Sequence, residues 1–189
     1  VEFPFSDITS SFPIGNRYWT IETYYRLFAP VLLPKDIDRI LYLDCDIIVD
    51  GDISEMYFSE IKVISAIVTT DFMSIQAGNP KRLGYDERHG YFNSGMMLIN
   101  ISYWREHDIL QRSINYIKEN SEILFLYDQD VLNYVLHDSK KFIGIEYNFF
   151  SLYITKMTFD SIDENMKRGV INCKPRIIHF IEPKPWTIF

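Results

Sequence analysis

Short apolar runs alternate along the chain with segments whose apolar residues recur every three or four positions. The run Arg39-Ile-Leu-Tyr-Leu43 predicts a buried strand over Ile40–Leu43, and a second run, Ile47-Ile-Val49, follows it directly after Asp44-Cys45-Asp46. Val63–Thr69 predicts another strand ending near Asp71, Phe92–Ile99 a third with Gly95 inside it, and Ile177–Ile181 a last one. Helical spacing falls over Thr20–Leu27, with Pro30 and Pro34 as stops, and over Ile53–Phe58 behind Asp52 as N-cap. A long helix is predicted over Ile101–Glu119, opened by Asn100, with Ile101, Trp104, Ile109, Leu110, Ile114 and Ile117 forming one stripe. A shorter helix is predicted over Asp128–Leu136, and Gln76–Gly90, with Gly78, Pro80 and Gly84, reads as a loop. Strands alternating with helices imply an α/β layered sheet. Ligands in such sheets bind beyond the carboxyl ends of strands, where Asp44, Asp46 and Asp71 fall.

Composition narrows the classes. A chain of 189 residues, 47% apolar and 16% aromatic, can build one domain with a core. A net charge of −7 argues against a nucleic-acid partner, which would want a basic stripe. No stretch approaches the roughly 20 apolar residues that span a bilayer, and no signal peptide opens the chain. Two cysteines, Cys45 and Cys173, are too few for a disulfide framework and suggest an intracellular compartment. The abrupt ends, Val1-Glu-Phe-Pro and Trp186-Thr-Ile-Phe189, read as a piece of a longer protein.

The candidate chemistry begins at Asp44 and Asp46. Side chains two apart on a strand share a side, and two convergent carboxylates repel unless a cation lies between them. The pair therefore reads as a metal site for phosphate chemistry. The competing reading is a turn, since Asp50-Gly51-Asp52 follows closely. Asn93 offers an amide beside the side-chain-free Gly95, suited to a hydroxyl-rich ligand, although an ordinary bulge would look the same. Asp128, Gln129 and Asp130 open a helix, where acids are favoured by the helix dipole alone. His179 is followed by Lys184 between two prolines. An imidazole can complete a carboxylate metal site, and an ammonium can neutralise a phosphate.

Together these segments resemble glycosyltransferase family 8, retaining enzymes that include bacterial lipopolysaccharide galactosyl- and glucosyltransferases and the glycogenins. The stretches that carry the resemblance are Thr23-Tyr-Tyr-Arg26-Leu-Phe28, Arg39–Asp46, Phe92-Asn-Ser-Gly-Met-Met-Leu-Ile-Asn100, Tyr127-Asp-Gln-Asp-Val-Leu-Asn133 and His179…Lys184-Pro-Trp186, in order over nearly the whole chain. The resemblance implies a GT-A, Rossmann-like fold for nucleotide-diphospho-sugar transfer, with a mixed sheet flanked by helices. It implies one catalytic domain over residues 1–189. The donor would be UDP-galactose or UDP-glucose, the acceptor a saccharide, and the cofactor Mn²⁺, with Mg²⁺ as its substitute. Asp44, Asp46 and His179 would bind the metal. Arg26 and Lys184 would meet phosphate or donor sugar, and Asp71, Asn93, Ser94, Gly95, Asp128 and Gln129 would line the sugar. Gln129 would lie near the anomeric carbon. As a poor nucleophile it favours same-face attack by the acceptor, while Asp128 and Asp130 are the carboxylates available for a covalent route.

The resemblance also places the enzyme in the cytoplasm, with membrane contact at the inner face through segments outside this chain. Three departures stand out. Val1–Tyr18 contains nothing like the family's first strand, so the N-terminal βαβ unit that cradles uridine is expected to be missing, as is the C-terminal tail beyond Pro-Trp. Glu182 stands where the family has Gly, and Lys184 comes one residue early, bringing a negative charge towards the phosphate. A non-catalytic relative or fragment acting as a binding module is the alternative reading. A nucleotidyltransferase or phosphohydrolase ranks last, because no phosphate loop or nucleophile accompanies the two acids.

Overall fold

The computed structural model describes residues 5–14, 20–181 and 184. Among these residues two sheets form. The larger contains β1 (Arg39–Leu43), β3 (Ala66–Thr70), β4 (Phe92–Asn100) and β5 (Lys140–Ile143) in the order β1-β4-β3-β5. The smaller contains β2 (Ile47–Val49), β6 (Phe149–Phe150) and β7 (Ile177–His179) in the order β2-β7-β6. β4 runs antiparallel to both β1 and β3, and β5 runs parallel to β3. β1, β3 and β5 therefore end at the edge where β4 begins. Leu43 pairs with Met96 and Thr70 with Phe92, and the ladder continues outward through Asp44 N–H to Gly95 O and Asp71 N–H to Tyr91 O, each at 2.8 Å. One edge of the sheet thus carries Asp44, Asp71 and Asn93–Gly95.

β4 is apolar on both faces because both are covered. Met97 and Ile99, with Ala66 and Val68, pack under the helices Ile101–Glu106, Ile109–Asn120 and Asp128–Val135. Met96 and Leu98, with Ile67, pack towards Met56, Ile61, Tyr147 and Ile177 on the side of the smaller sheet. Each such buried Leu, Ile or Met side chain contributes roughly 1.5–3 kcal/mol. Period-two alternation divides a continuous apolar run between two cores.

Three expectations are corrected. The long helix breaks at Asp108, whose φ of 50° cannot continue a right-handed helix, yet Ile101 and Trp104 before the break and Ile109, Ile114 and Ile117 after it stay buried in one core. Asn100 does open the first half, its Oδ1 accepting from Tyr103 N–H at 2.9 Å. Gln76–Gly90 is not all loop: Gly78 and Gly84, at φ 75° and 85°, bracket a helix over Asn79–Leu83 with Pro80 in its first turn. Pro30 likewise sits at the start of a helix, Ala29–Leu32, that continues the 3₁₀ turns of Ile21–Phe28. β5 and the helix Glu164–Asn172 had no sequence forecast. No helix among the described residues is long and apolar enough to cross a membrane.

Candidate functional site

Residues 44–46 carry the chain from one sheet to the other. β1 ends at Leu43 and β2 begins at Ile47, so the convergence of Asp44 and Asp46 comes from the turn between sheets and not from the strand pleat expected. Ile47 pairs with His179, and Asp46 O accepts from Phe180 N–H at 2.9 Å, which sets the imidazole beside the two acids. His179 Nε2 lies 3.1 Å from Asp46 Oδ1 and 3.9 Å from Asp44 Oδ2. One ligand atom from each residue fits within 4.8 Å of the others. Burial lowers the His179 pKa against the pull of Asp46 and Asp44, favouring the neutral ring that can ligate.

The cradle is tight. A Cβ at Gly95 would overlap His179 Cε1 and lie 2.7 Å from Asp44 Oδ2, so only glycine lets β4 approach this closely. Two carboxylates and one imidazole suit a hard or borderline divalent ion such as Mn²⁺ or Mg²⁺. Lys184 Nζ, 2.9 Å from Asp46 Oδ2, adds positive charge at the same place.

Arg26 organises the next layer. Its Nη2 lies 3.1 Å from Asp44 Oδ1, its Nε 3.1 Å from Asp128 Oδ2, and its Nη1 donates to Ser94 O at 2.6 Å. The guanidinium rests on the Tyr42 ring, 4.1 Å from its centroid, and Tyr42 Oη donates to Asp44 Oδ1 at 2.8 Å. Burial works to lower the Arg26 pKa, but Asp128 and Asp44 outweigh it and hold the group charged. Burial pushes the Asp128 carboxyl up to about 6 in spite of Arg26.

Asp128 and Gln129 reach the cleft because the preceding residue is held in an unusual conformation. Tyr127 has φ 46° and ψ −113°, a strain of about 1–3 kcal/mol that surrounding bonds must offset. Asp130 provides them. Its carboxylate accepts from Phe125 N–H at 2.7 Å, Leu126 N–H at 2.8 Å and Tyr91 Oη at 2.7 Å, and it takes both Nη groups of Arg82. Gln129 Oε1 accepts from Asn93 Nδ2 and Ser94 N–H, both at 3.0 Å. Asp71, whose pKa burial raises, caps the helix Phe72–Gln76 by accepting from Ser74 N–H at 3.0 Å.

These groups open into one cleft of about 1110 Å³. Arg26, Asp44, Asp46, Asp71, Asn93, Ser94, Asp128, Gln129, His179 and Lys184 all line it. Gly95 contributes by having no side chain. Asp130 does not line it; its carboxylate is engaged behind the wall. Glu182, Pro183 and Trp186 lie outside the described residues. Sequence reasoning missed Tyr42 and Asn148, whose Oδ1 faces His179 Nδ1 at 3.0 Å. Tyr42 carried a signal, sitting two residues before Asp44 on the same side of β1. Asn148 carried none. The apolar walls formed by Phe125 and Leu126 were equally unforeseen.

Comparisons with known proteins agree with this geometry. The profile described as glycosyl transferase family 8 matches residues 3–188. The lipopolysaccharide 1,2-glucosyltransferase of Escherichia coli (strain K12) is 32% identical over 174 residues, covering 90% of this chain and 51% of that protein. The lipopolysaccharide 1,3-galactosyltransferase of Salmonella typhimurium is 30% identical over 186 residues, covering 91% and 51%. General stress protein A of Bacillus subtilis is 31% identical, covering 92% and 62%. The chain thus spans about half the length of the two lipopolysaccharide transferases and somewhat more of the third protein. The crystal structure of the galactosyltransferase LgtC with donor and acceptor sugar analogues matches with a TM-score of 0.80 at 25% identity, covering 95% of this chain and 66% of that one. The fold is α/β of the GT-A type, a mixed sheet flanked by helices, and the chain belongs to glycosyl transferase family 8.

Proposed function

We propose that this chain is the catalytic part of a retaining glycosyltransferase that moves galactose or glucose from a UDP-sugar to a saccharide acceptor. The observation that carries the reading is the chelating trio of Asp44, Asp46 and His179 at a cleft whose inner wall presents Asn93, Asp128 and Gln129. A divalent ion held there, Mn²⁺ or Mg²⁺, would supply charge for the departing diphosphate. Lys184, in contact with Asp46, adds an ammonium where the same negative charge develops. Arg26 has its donors directed at Asp44, Asp128 and Ser94 O, so its role is to orient the acids. Asp71 and Asn93 offer a carboxylate and an amide to sugar hydroxyls.

The state of the carboxylates supports same-face attack. Asp128 Oδ2 is held by Arg26 and by Ser94 Oγ at 3.3 Å, and Asp130 is enclosed by its own partners, so neither stands ready as a nucleophile. Acceptor contacts would come from the segments around Met73–Asn79 and Phe150–Leu152, which also line the cleft. The enzyme so read works in the cytoplasm, at the inner face of the membrane, on a cell-surface glycan, a reading supported by relatives that act on lipopolysaccharide. Calorimetry of UDP binding with Mn²⁺, together with donor hydrolysis by the full-length protein, tests the reading. Asp44→Asn should abolish Mn²⁺-dependent UDP binding and lower hydrolysis at least a hundredfold, on the order of 2.7 kcal/mol. Full retention of hydrolysis in that variant refutes the metal-assisted mechanism.

A further inference from the structure

His179, Asn148, Asn93 and Gln129, drawn from separate parts of the chain, form one directed line of hydrogen bonds across the floor of the cleft. Asn93 Nδ2 donates to Gln129 Oε1 at 3.0 Å, Asn148 Nδ2 donates to Asn93 Oδ1 at 3.1 Å, and Asn148 Oδ1 faces His179 Nδ1 at 3.0 Å. An amide can be turned end for end without changing its outline, so the polarity of such a line needs an independent anchor. Two peptide groups supply it. Ser94 N–H points at Gln129 Oε1 and Gly95 N–H at Asn93 Oδ1, both at 3.0 Å.

A peptide N–H can only donate. Asn93 must therefore turn its oxygen to Gly95 and Asn148, and its nitrogen to Gln129. Asn148 must then turn its nitrogen to Asn93, leaving its oxygen for His179. An oxygen facing Nδ1 requires the ring proton there, which frees the Nε2 lone pair on the side where Asp46 and Asp44 converge. Asn148 and His179 are each 2% exposed, so water does not replace a lost partner cheaply.

We propose that Asn148 is a positioning residue that fixes His179 as the Nδ1–H tautomer for cation binding and, through Asn93, ties that ring to Gln129. Two backbone N–H groups of β4 thus dictate the protonation pattern of an imidazole on β7. The meaning of the link rests on the function proposed above; its existence does not.

Two-bond ¹H–¹⁵N correlations of the imidazoles read the tautomer directly, in the metal-free protein and with Mg²⁺, and calorimetry gives the Mn²⁺ affinity. The wild type should show His179 as Nδ1–H. Asn148→Leu should give mixed tautomers and roughly ten- to a hundredfold weaker Mn²⁺ binding. Asn148→Asp keeps an oxygen for the ring and should restore the Nδ1–H, while shifting the side-chain amide signals of Asn93 and Gln129 because the donor to Asn93 is gone. The proposal is overturned by a wild-type Nε2–H tautomer, by an Asn148→Leu protein with wild-type tautomer and affinity, or by unmoved Asn93 and Gln129 amides in Asn148→Asp. If Asn148→Leu does not fold, loss of the Nδ1–H in Asn148→Asp is the refuting result. A wild-type protein that binds no Mn²⁺ sinks the chelation proposed above, and the tautomer still decides this proposal.

Discussion

Replacing glycine by alanine at two positions should move stability in opposite directions, and the structure gives the reason for each sign. Gly95 and Gly169 both lack the positive φ that would demand glycine, so the comparison isolates what a methyl group meets. At Gly95 the added Cβ would overlap His179 Cε1 and come within 2.7 Å of Asp44 Oδ2 and 2.9 Å of Asn93 Oδ1. Ordinary carbon contacts need about 3.5 Å, so the ring and the carboxylate must withdraw by roughly 1 Å. Both are pinned, the ring by Asn148 and the carboxylate by Arg26 and Tyr42. Overpacking of this kind costs about 1–3 kcal/mol.

At Gly169, exposed in the helix Glu164–Asn172, the nearest atom to a new Cβ is Ile145 Cδ1 at 3.8 Å. Alanine there should gain about 0.5–1 kcal/mol from helix propensity. For a domain of this size each kcal/mol moves Tm by about 2–4 °C. Thermal unfolding without metal should therefore show Gly95→Ala several degrees below the wild type and Gly169→Ala slightly above it. Mn²⁺ titration should show weakened binding only for Gly95→Ala. Equal Tm and equal Mn²⁺ affinity for Gly95→Ala and the wild type would refute the steric argument.

Two further outcomes follow from buried charges. Asp130→Asn should destabilise by about 3 kcal/mol or more in urea titration, because Arg82 loses its buried carboxylate and, with the amide oxygen kept on the Phe125 and Leu126 N–H groups, the amide nitrogen faces the Arg82 Nη2 donor; a loss below about 1 kcal/mol would show that Asp130 does not hold the loop. Burial pulls the Lys140 ammonium down from its usual 10.5 to about 8, with Asp138 opposing. Below pH 8 both folded and unfolded states carry this proton and the folded state bears the full burial penalty. Between pH 8 and 10.5 the folded state releases it first, so this group's contribution to stability rises with pH. The wild type should gain on Lys140→Met between pH 7 and about 9.5 in parallel urea titrations. A gap that stays constant or moves the other way would refute the assignment.

The strands that build the site were legible because the chain marks them with apolar runs bounded by acids. Arg39–Leu43 and Phe92–Asn100 formed where the pattern placed them, and the helix at Asp128 began on its first polar residue. The acids converge for a reason the pattern could not show: three residues switch the chain between sheets, and no periodicity records which sheet a strand will join. The break at Asp108 was hidden because the apolar stripe continues across it. Gly78, Pro80 and Gly84 were read as loop residues when the two glycines cap a short helix and Pro80 sits in its first turn. The short strand β5 opens with Lys140-Lys141, whose charges mask its pairing with β3. Asn148 acts through two long-range contacts, with Asn93 and His179, which nothing local to its own segment announces.

The seam between the two sheets has one more consequence. On the proposed chelation, Asp44 and Asp46 are translated first, and the imidazole arrives more than a hundred residues later on a strand near the end of the described fold. A nascent polypeptide ending before Ile177 would hold two repelling acids and no nitrogen donor. Ion retention would thus report that β7 had docked, and a chelator would act on the last-assembled strand before it disturbed the first.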